Sequence, residues 1–171
     1  LSENMDKYQE NMEKSRAQQQ LLDQLSSRVE VPVPPSMLES QLNYLIERKR
    51  EQMEQQGKSL EALGSEEELR EQLQSTAEEN VKKQLILLEI AKKEELTVSD
   101  QEVDRQVQRL AQEGGQDPQQ LKQYYEQNNL MYALRDSLLA DKAMESLYQY
   151  AEVEKVDSLA EDEEGGQGDE S

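Results

Sequence analysis

Apolar positions recur at three- and four-residue spacings through most of the chain, the period of an amphipathic helix, and the interruptions fall at Gly and Pro. Residues 2–28 contain neither and place Met5, Tyr8 and Met12, then Leu21, Leu22 and Leu25, at that spacing, which predicts a first helix. Its middle, Ser15 to Gln20, has almost nothing to bury, so the helix should project or pack along one edge. Val29 to Pro35 alternates Val and Pro. Proline fixes φ and removes a donor, so this segment should be an extended strap. Ser36 with Glu39 reads as a capping box opening a second helix, 36 to 56, whose stripe of Leu38, Leu42, Leu45 and Ile46 runs on to Met53.

Gly57 and Gly64 bracket a loop carrying Leu60 and Leu63. Ser65 with Glu68 predicts a second capping box and a third helix, expected to be the longest, with the face Leu69, Leu73, Ala77, Val81, Leu85 and Leu88. Ile86, Leu87 and Ile90 join that face near its end, and Val81, Leu85, Leu88 and Ile90 are the expected core. Ser99 and Glu102 start a short helix with Val103, Val107 and Leu110, which Gly114 and Gly115 end. Asp117 before Pro118 starts another, with Leu121, Tyr124 and Tyr125 on its apolar side. Asn128 and Asn129 mark a break before a last long helix, Leu130 to Ala151. From Glu152 onward there are nine acidic residues and one Lys, so residues 157–171 should be a disordered acidic tail. The reading is all-α: a helical domain over 1–156, made of a first helix (1–28), a strap (29–35) and a helical body (36–151), then the tail.

Composition narrows the function. Of 171 residues only 34% are hydrophobic, with no Trp and no Phe, so a thick enclosed core is not expected. Against 19 basic residues stand 38 acidic ones, a formal charge of -19 that repels nucleic acid and anionic membranes and attracts basic partners. His and Cys are absent, which removes the familiar nucleophile–base pairs. Carboxylate neighbours such as Glu78 and Glu79, or Glu94 and Glu95, diverge around a helix and share no site. Asp100, Glu102 and Asp104 resemble part of a calcium loop but lack its Gly turn and closing Glu. No catalytic residue, metal or cofactor is expected. Arg48, Lys49 and Arg50, and the pairs Lys82/Lys83 and Lys92/Lys93, are expected to form intrahelical ion pairs. The longest apolar run, Leu85 to Ile90, is broken by Glu89 and falls far short of the ~18 residues a membrane span needs. With no secretory leader pattern and no Cys, a cytoplasmic location is expected.

Two stretches carry a family resemblance. Val29 to Leu42 reads V-E-V-P-V-P-P-S-M-L-E-S-Q-L, a Val/Pro strap turning directly into a helix. Tyr124 to Val153 reads Y-Y-E-Q-N-N-L-M-Y-A-L-R-D-S-L-L-A-D-K-A-M-E-S-L-Y-Q-Y-A-E-V, a Tyr-Tyr helix, an Asn break and a Leu-Arg-x-x-Leu-Leu helix. Together they resemble the C-terminal domain of the trigger factor family. The resemblance implies an elongated helical body with two arm-like protrusions whose inner surfaces hold unfolded or nascent polypeptides without ATP. Met37, Leu42, Leu45, Ile46 and Met53 on the second helix, with Leu130, Met131, Leu134 and Leu138 on the last, are the candidate client contacts. The family's basic ribosome-docking loop, its prolyl isomerase domain and the linker between them are not found in these residues. Ribosome contact is therefore expected only through those other domains, and a homodimer is left open. The alternative is a structural helical adaptor with one defined partner, although Gly57, Gly64, Gly114 and the prolines interrupt any sustained heptad.

Overall fold

A computed structural model of the protein describes residues 2–165, apart from the side chains of Val153 and residues 161–165. Among the described residues there are six α-helices and no strand: α1 (Ser2–Arg28), α2 (Pro35–Gln55), α3 (Glu66–Lys93), α4 (Asp100–Gly114), α5 (Pro118–Gln127) and α6 (Met131–Gly165). A turn of 3-10 helix, Leu60–Leu63, sits between α2 and α3. The all-α class read from periodicity is the one observed. The chain divides into two units, one of Leu1–Leu22 with Leu87–Ser171 and one of Asp23–Ile86, so α1 and α3 each give residues to both.

In the unit of Asp23–Ile86, residues 29–34 are extended and Pro35 takes the first helical position of α2. Pro34, at φ -62° and ψ 133°, is the residue before it, and its carbonyl accepts from the amides of Met37 and Leu38, each at 3.1 Å. The expected Ser36–Glu39 capping box is therefore not formed. Proline's preset φ and missing donor already suit the first helical position, so the helix begins before Ser36 can cap it. The second box does form. The Ser65 amide donates to the Glu68 carboxylate at 2.9 Å, and the Glu68 amide donates to Ser65 Oγ at 3.3 Å. Gly64, at φ 122°, makes this possible, since a Cβ there would lie 2.5 Å from the same Glu68 oxygen.

Leu42, Ile46 and Met53 of α2 are buried in this unit, as are Leu69, Ala77, Val81 and Ile86 of α3. Arg70 of α3 ties the two helices by donating to Glu39 at 3.1 Å and Asn43 at 2.7 Å. Lys82 and Lys83 form no intrahelical pair. Lys83 meets Asp23 of α1, and Lys82 donates to the carbonyl of Ser26, whose buried hydroxyl donates to Glu79. The Lys stems are long enough to cross to the neighbouring helix, where a carboxylate and a buried carbonyl need partners.

In the other unit, Val103, Val107 and Leu134 form a buried cluster, ringed by Val98, Leu110, Leu121, Tyr125, Met131 and Leu138. Helix ends set this arrangement. Ser99 and Glu102 form the expected capping box, and Asp117 accepts from the amides of Gln119 and Gln120 at 2.9 and 3.0 Å. Gly115, at φ 64°, closes α4 in the left-handed conformation. Asn129 does the same after α5 at φ 56°, and the Leu130 amide reaches back to the Tyr125 carbonyl at 2.8 Å. Farther along α6, Lys14 of α1 pairs with Glu145 at 2.7 Å and lies 5.2 Å from the Tyr148 ring centroid.

Two expectations about length fail. The longest helix is α6, with 35 residues, and not α3, with 28. It continues through residues expected to be unstructured, because Lys155 to Glu164 contains no Gly or Pro and holds Leu, Ala, Lys and Glu, which favour helix by local propensity alone. The rest of the predicted tail, 166–171, lies outside the described residues. Of the four residues expected in the core, Val81 is buried, while Leu85, Leu88 and Ile90 are half-buried and their places are taken by Ala77, Ile86, Leu87 and Ala91.

Leu134 stands at the centre of its cluster, so Leu134→Ala should lower unfolding stability by about 2–5 kcal/mol. Ser99→Ala, which removes one cap, should lower it by about 1 kcal/mol. Urea denaturation followed by circular dichroism measures both. Equal effects of the two changes would contradict a packed α4–α6 core.

Candidate functional site

The acidic run on α4 is committed to structure. Asp100, Glu102 and Asp104 each meet a cation from another helix: Arg135, Lys142 at 2.6 Å and Lys122 at 2.7 Å, respectively. Arg135 also donates to the Val98 carbonyl at 3.2 Å, and Lys142 to the Thr97 carbonyl at 2.6 Å, so both cations also hold the segment leading into α4. Hydrogen bonds from Lys142 and the Ser99 amide hold the Glu102 carboxyl down at about 2. The bond to Asp104 raises the Lys122 ammonium above its ordinary value. Partial burial raises Asp141 of α6, against the pull of Arg109. Among the described residues, no group of three or more Asp or Glu could hold a metal ion, and no helix is long and apolar enough to cross a membrane.

What the arrangement leaves open is apolar. Met5, Tyr8 and Met12 are 70%, 69% and 52% exposed and share one face of α1, where Asn4 and Gln9 complete a shallow concavity of about 460 Å³. At 100° per residue this face lies roughly opposite the side on which Lys14, Gln18 and Leu21 sit. In the other unit, Leu45 borders an open groove of about 600 Å³ with Tyr44 and Leu73. Tyr124, Tyr132 and Tyr150 are also exposed.

A family model for the C-terminus of the bacterial trigger factor protein matches residues 1–149. The chain belongs to the trigger factor C-terminus family. It is 45% identical over 149 residues to the trigger factor of Oleidesulfovibrio alaskensis, covering 86% of this chain and 34% of that protein. With the trigger factor of Nitratidesulfovibrio vulgaris (strain Miyazaki F) the figures are 43% over 148 residues, 86% and 34%. The chain thus spans about a third of the length of the curated relatives it matches. Among solved structures, a trigger factor chain from Thermotoga maritima superposes with a TM-score of 0.56 at 28% identity, covering 80% of this chain and 81% of that one. A second superposes at 0.53 and 28%, covering 86% and 36%; it comes from work on promiscuous substrate recognition in the folding and assembly activities of the trigger factor chaperone.

Set on this trigger factor fold, the nine candidate contacts separate by burial. Leu42, Ile46, Met53 and Leu134 are buried, the last two only 8% and 7% exposed, so in this conformation they offer a client almost no surface. Met37, Leu45, Leu130, Met131 and Leu138 are half-buried, and Met131 and Leu138 lean on the Val103–Val107–Leu134 cluster. The Met5–Tyr8–Met12 face was not among the candidates. Its signal was in the chain, because nine positions separate Met12 from Leu21, two and a half helical turns, which puts Leu21 on the opposite side of α1 and breaks the stripe.

The depressed Glu102 carboxyl makes stability depend on pH. A carboxyl near 4.5 when unfolded and about 2 when folded contributes stability that is fully present above pH 4.5 and lost as pH falls through about 2. Glu102→Gln should flatten the acid limb over that window. Midpoints of thermal unfolding against pH, wild type beside variant, measure it, and parallel curves would mean that the ion pair contributes nothing.

Proposed function

We propose that this chain is an ATP-independent holding module, which binds unfolded or nascent polypeptides through exposed apolar side chains and releases them without chemistry. One observation carries the reading: a chain of the trigger factor C-terminus family displays Met5, Tyr8 and Met12 together on one open helix face. Met is flexible and polarizable, Tyr joins an apolar ring to a polar tip, and the neighbouring Asn4 and Gln9 can donate or accept hydrogen bonds. Such a surface accepts many sequences because it demands no single geometry.

Each unit also offers half-buried apolar side chains as further client contacts of its own, Met37 and Leu45 in the unit of Asp23–Ile86 and Leu130, Met131 and Leu138 in the other, whereas Leu42, Ile46, Met53 and Leu134 are buried. We assign no enzymatic activity to these residues, since the chain has neither His nor Cys and the acidic run on α4 is paired with cations. Ribosome docking and proline isomerisation are likewise not assigned to them, and the proposed setting is the bacterial cytoplasm. An adaptor with one partner is not favoured, because the family match points to holding.

The test is suppression of aggregation of a chemically denatured protein diluted into buffer. The triple change Met5→Ser, Tyr8→Ser and Met12→Ser should weaken client affinity by one to two orders of magnitude, taking each partly buried contact as about 1 kcal/mol. Helix content should stay the same, because the three side chains face solvent. Undiminished suppression by the triple variant would remove this face from the holding surface.

A further inference from the structure

The cations Arg48 and Lys49 of α2 stand out on a chain of net charge -19. Arg50 beside them pairs with Glu47 at 2.8 Å, and Arg70 pairs with Glu39 and Glu66. Among the described residues, neither Arg48 nor Lys49 has a carboxylate within 4.0 Å. Arg48 instead donates to the Tyr44 hydroxyl at 3.0 Å, with its guanidinium carbon 5.8 Å from the Tyr44 ring centroid. This contact holds the guanidinium in place and uses one of its five donors. Both cations border the open groove of about 600 Å³ on α2 and α3, whose apolar lining is Leu45, Leu73 and the ring of Tyr44. Its one carboxylate is Glu51, so the groove keeps an excess of positive charge beside an apolar floor.

The geometry points to this groove as a subsite for acidic client segments, in which an Asp or Glu lies within a few residues of an aliphatic or aromatic side chain. The inference rests on the holding function proposed above and adds a substrate class to it. The carboxylate takes the guanidinium of Arg48 and the ammonium of Lys49, while the apolar neighbour settles against Leu45, Leu73 and Tyr44. Elsewhere the acidic surface disfavours such segments. A local basic groove lets one module hold clients of either charge, basic ones through the general field and acidic ones here.

Three short fluorescent peptides with the same Leu and Tyr residues, flanked by Asp and Glu, by Ser or by Lys, test it by anisotropy. The full chain is compared with the double variant Arg48→Glu, Lys49→Glu, whose side chains are exposed in the wild type. The acid-flanked peptide should bind the wild type more tightly than the Ser-flanked one. The double variant should weaken it about tenfold and leave the Lys-flanked peptide unchanged or tighter. In about 1 M salt, where the screening length is about 3 Å, the acid preference should vanish. Methyl NMR signals of Leu45 and Leu73 should shift on adding the acid-flanked peptide. Equal binding of that peptide to both proteins, or shifts elsewhere with none at Leu45 and Leu73, overturns the subsite. If the Ser- and Lys-flanked peptides still bind, the holding function stands and only the groove falls. If neither these peptides nor an unfolded client binds, the holding function falls as well.

Discussion

A shortage of large apolar side chains is the constraint on which the rest of this structure depends. With no Trp or Phe and only a third of its residues hydrophobic, the chain cannot enclose its helices around a thick core. Alanine, which brings little apolar volume, occupies several of the most buried positions, among them Ala77, Ala111 and Ala143. Long charged side chains supply the remaining ties. Lys14 reaches Glu145, Arg70 reaches Glu39, Lys83 reaches Asp23, and α4 alone takes three such cations. Each exposed pair is worth at most about 1 kcal/mol, so these ties orient helices more than they stabilise them.

The same constraint explains why apolar side chains remain at the surface. A globule with a deep core would draw Met5, Tyr8 and Met12 inward, but α1 has one packing side, and it belongs to Lys14, Gln18 and Leu21. Thin packing also lowers the free energy of local opening, which suits the proposed holding of clients of different shape. Charge keeps such exposure tolerable, since like charges on neighbouring copies oppose association through these faces.

Helix existence and type were legible because periodicity and end signals agreed. Gly115 after α4, Asp117 before Pro118 and Ser65 with Glu68 all act as their residue types dictate. What misled was competition between local signals. Pro35 outranked Ser36 at the start of α2, and helix propensity outranked net charge in the last part of α6. Burial was harder to read than helicity. Leu42 and Leu45 stand three residues apart on one stripe, yet Leu42 is buried and Leu45 half-open, because the neighbouring helix covers only part of the stripe and the pattern on α2 does not say which part.

Side-chain reach was the least legible quantity, and it decides the electrostatics. Lys82 and Lys83 were expected to find glutamates one turn away on their own helix, but both cross to another segment, as Lys142 does too. An intrahelical pair gains a few tenths of a kcal/mol in full solvent. A crossing cation can also satisfy a carbonyl left without a helical partner, as Lys142 does at Thr97 and Arg135 at Val98. Arg48 and Lys49 on the groove side of α2 meet no carboxylate among the described residues, Arg48 donating only to the Tyr44 hydroxyl, which leaves both cations open to a carboxylate brought by another polypeptide.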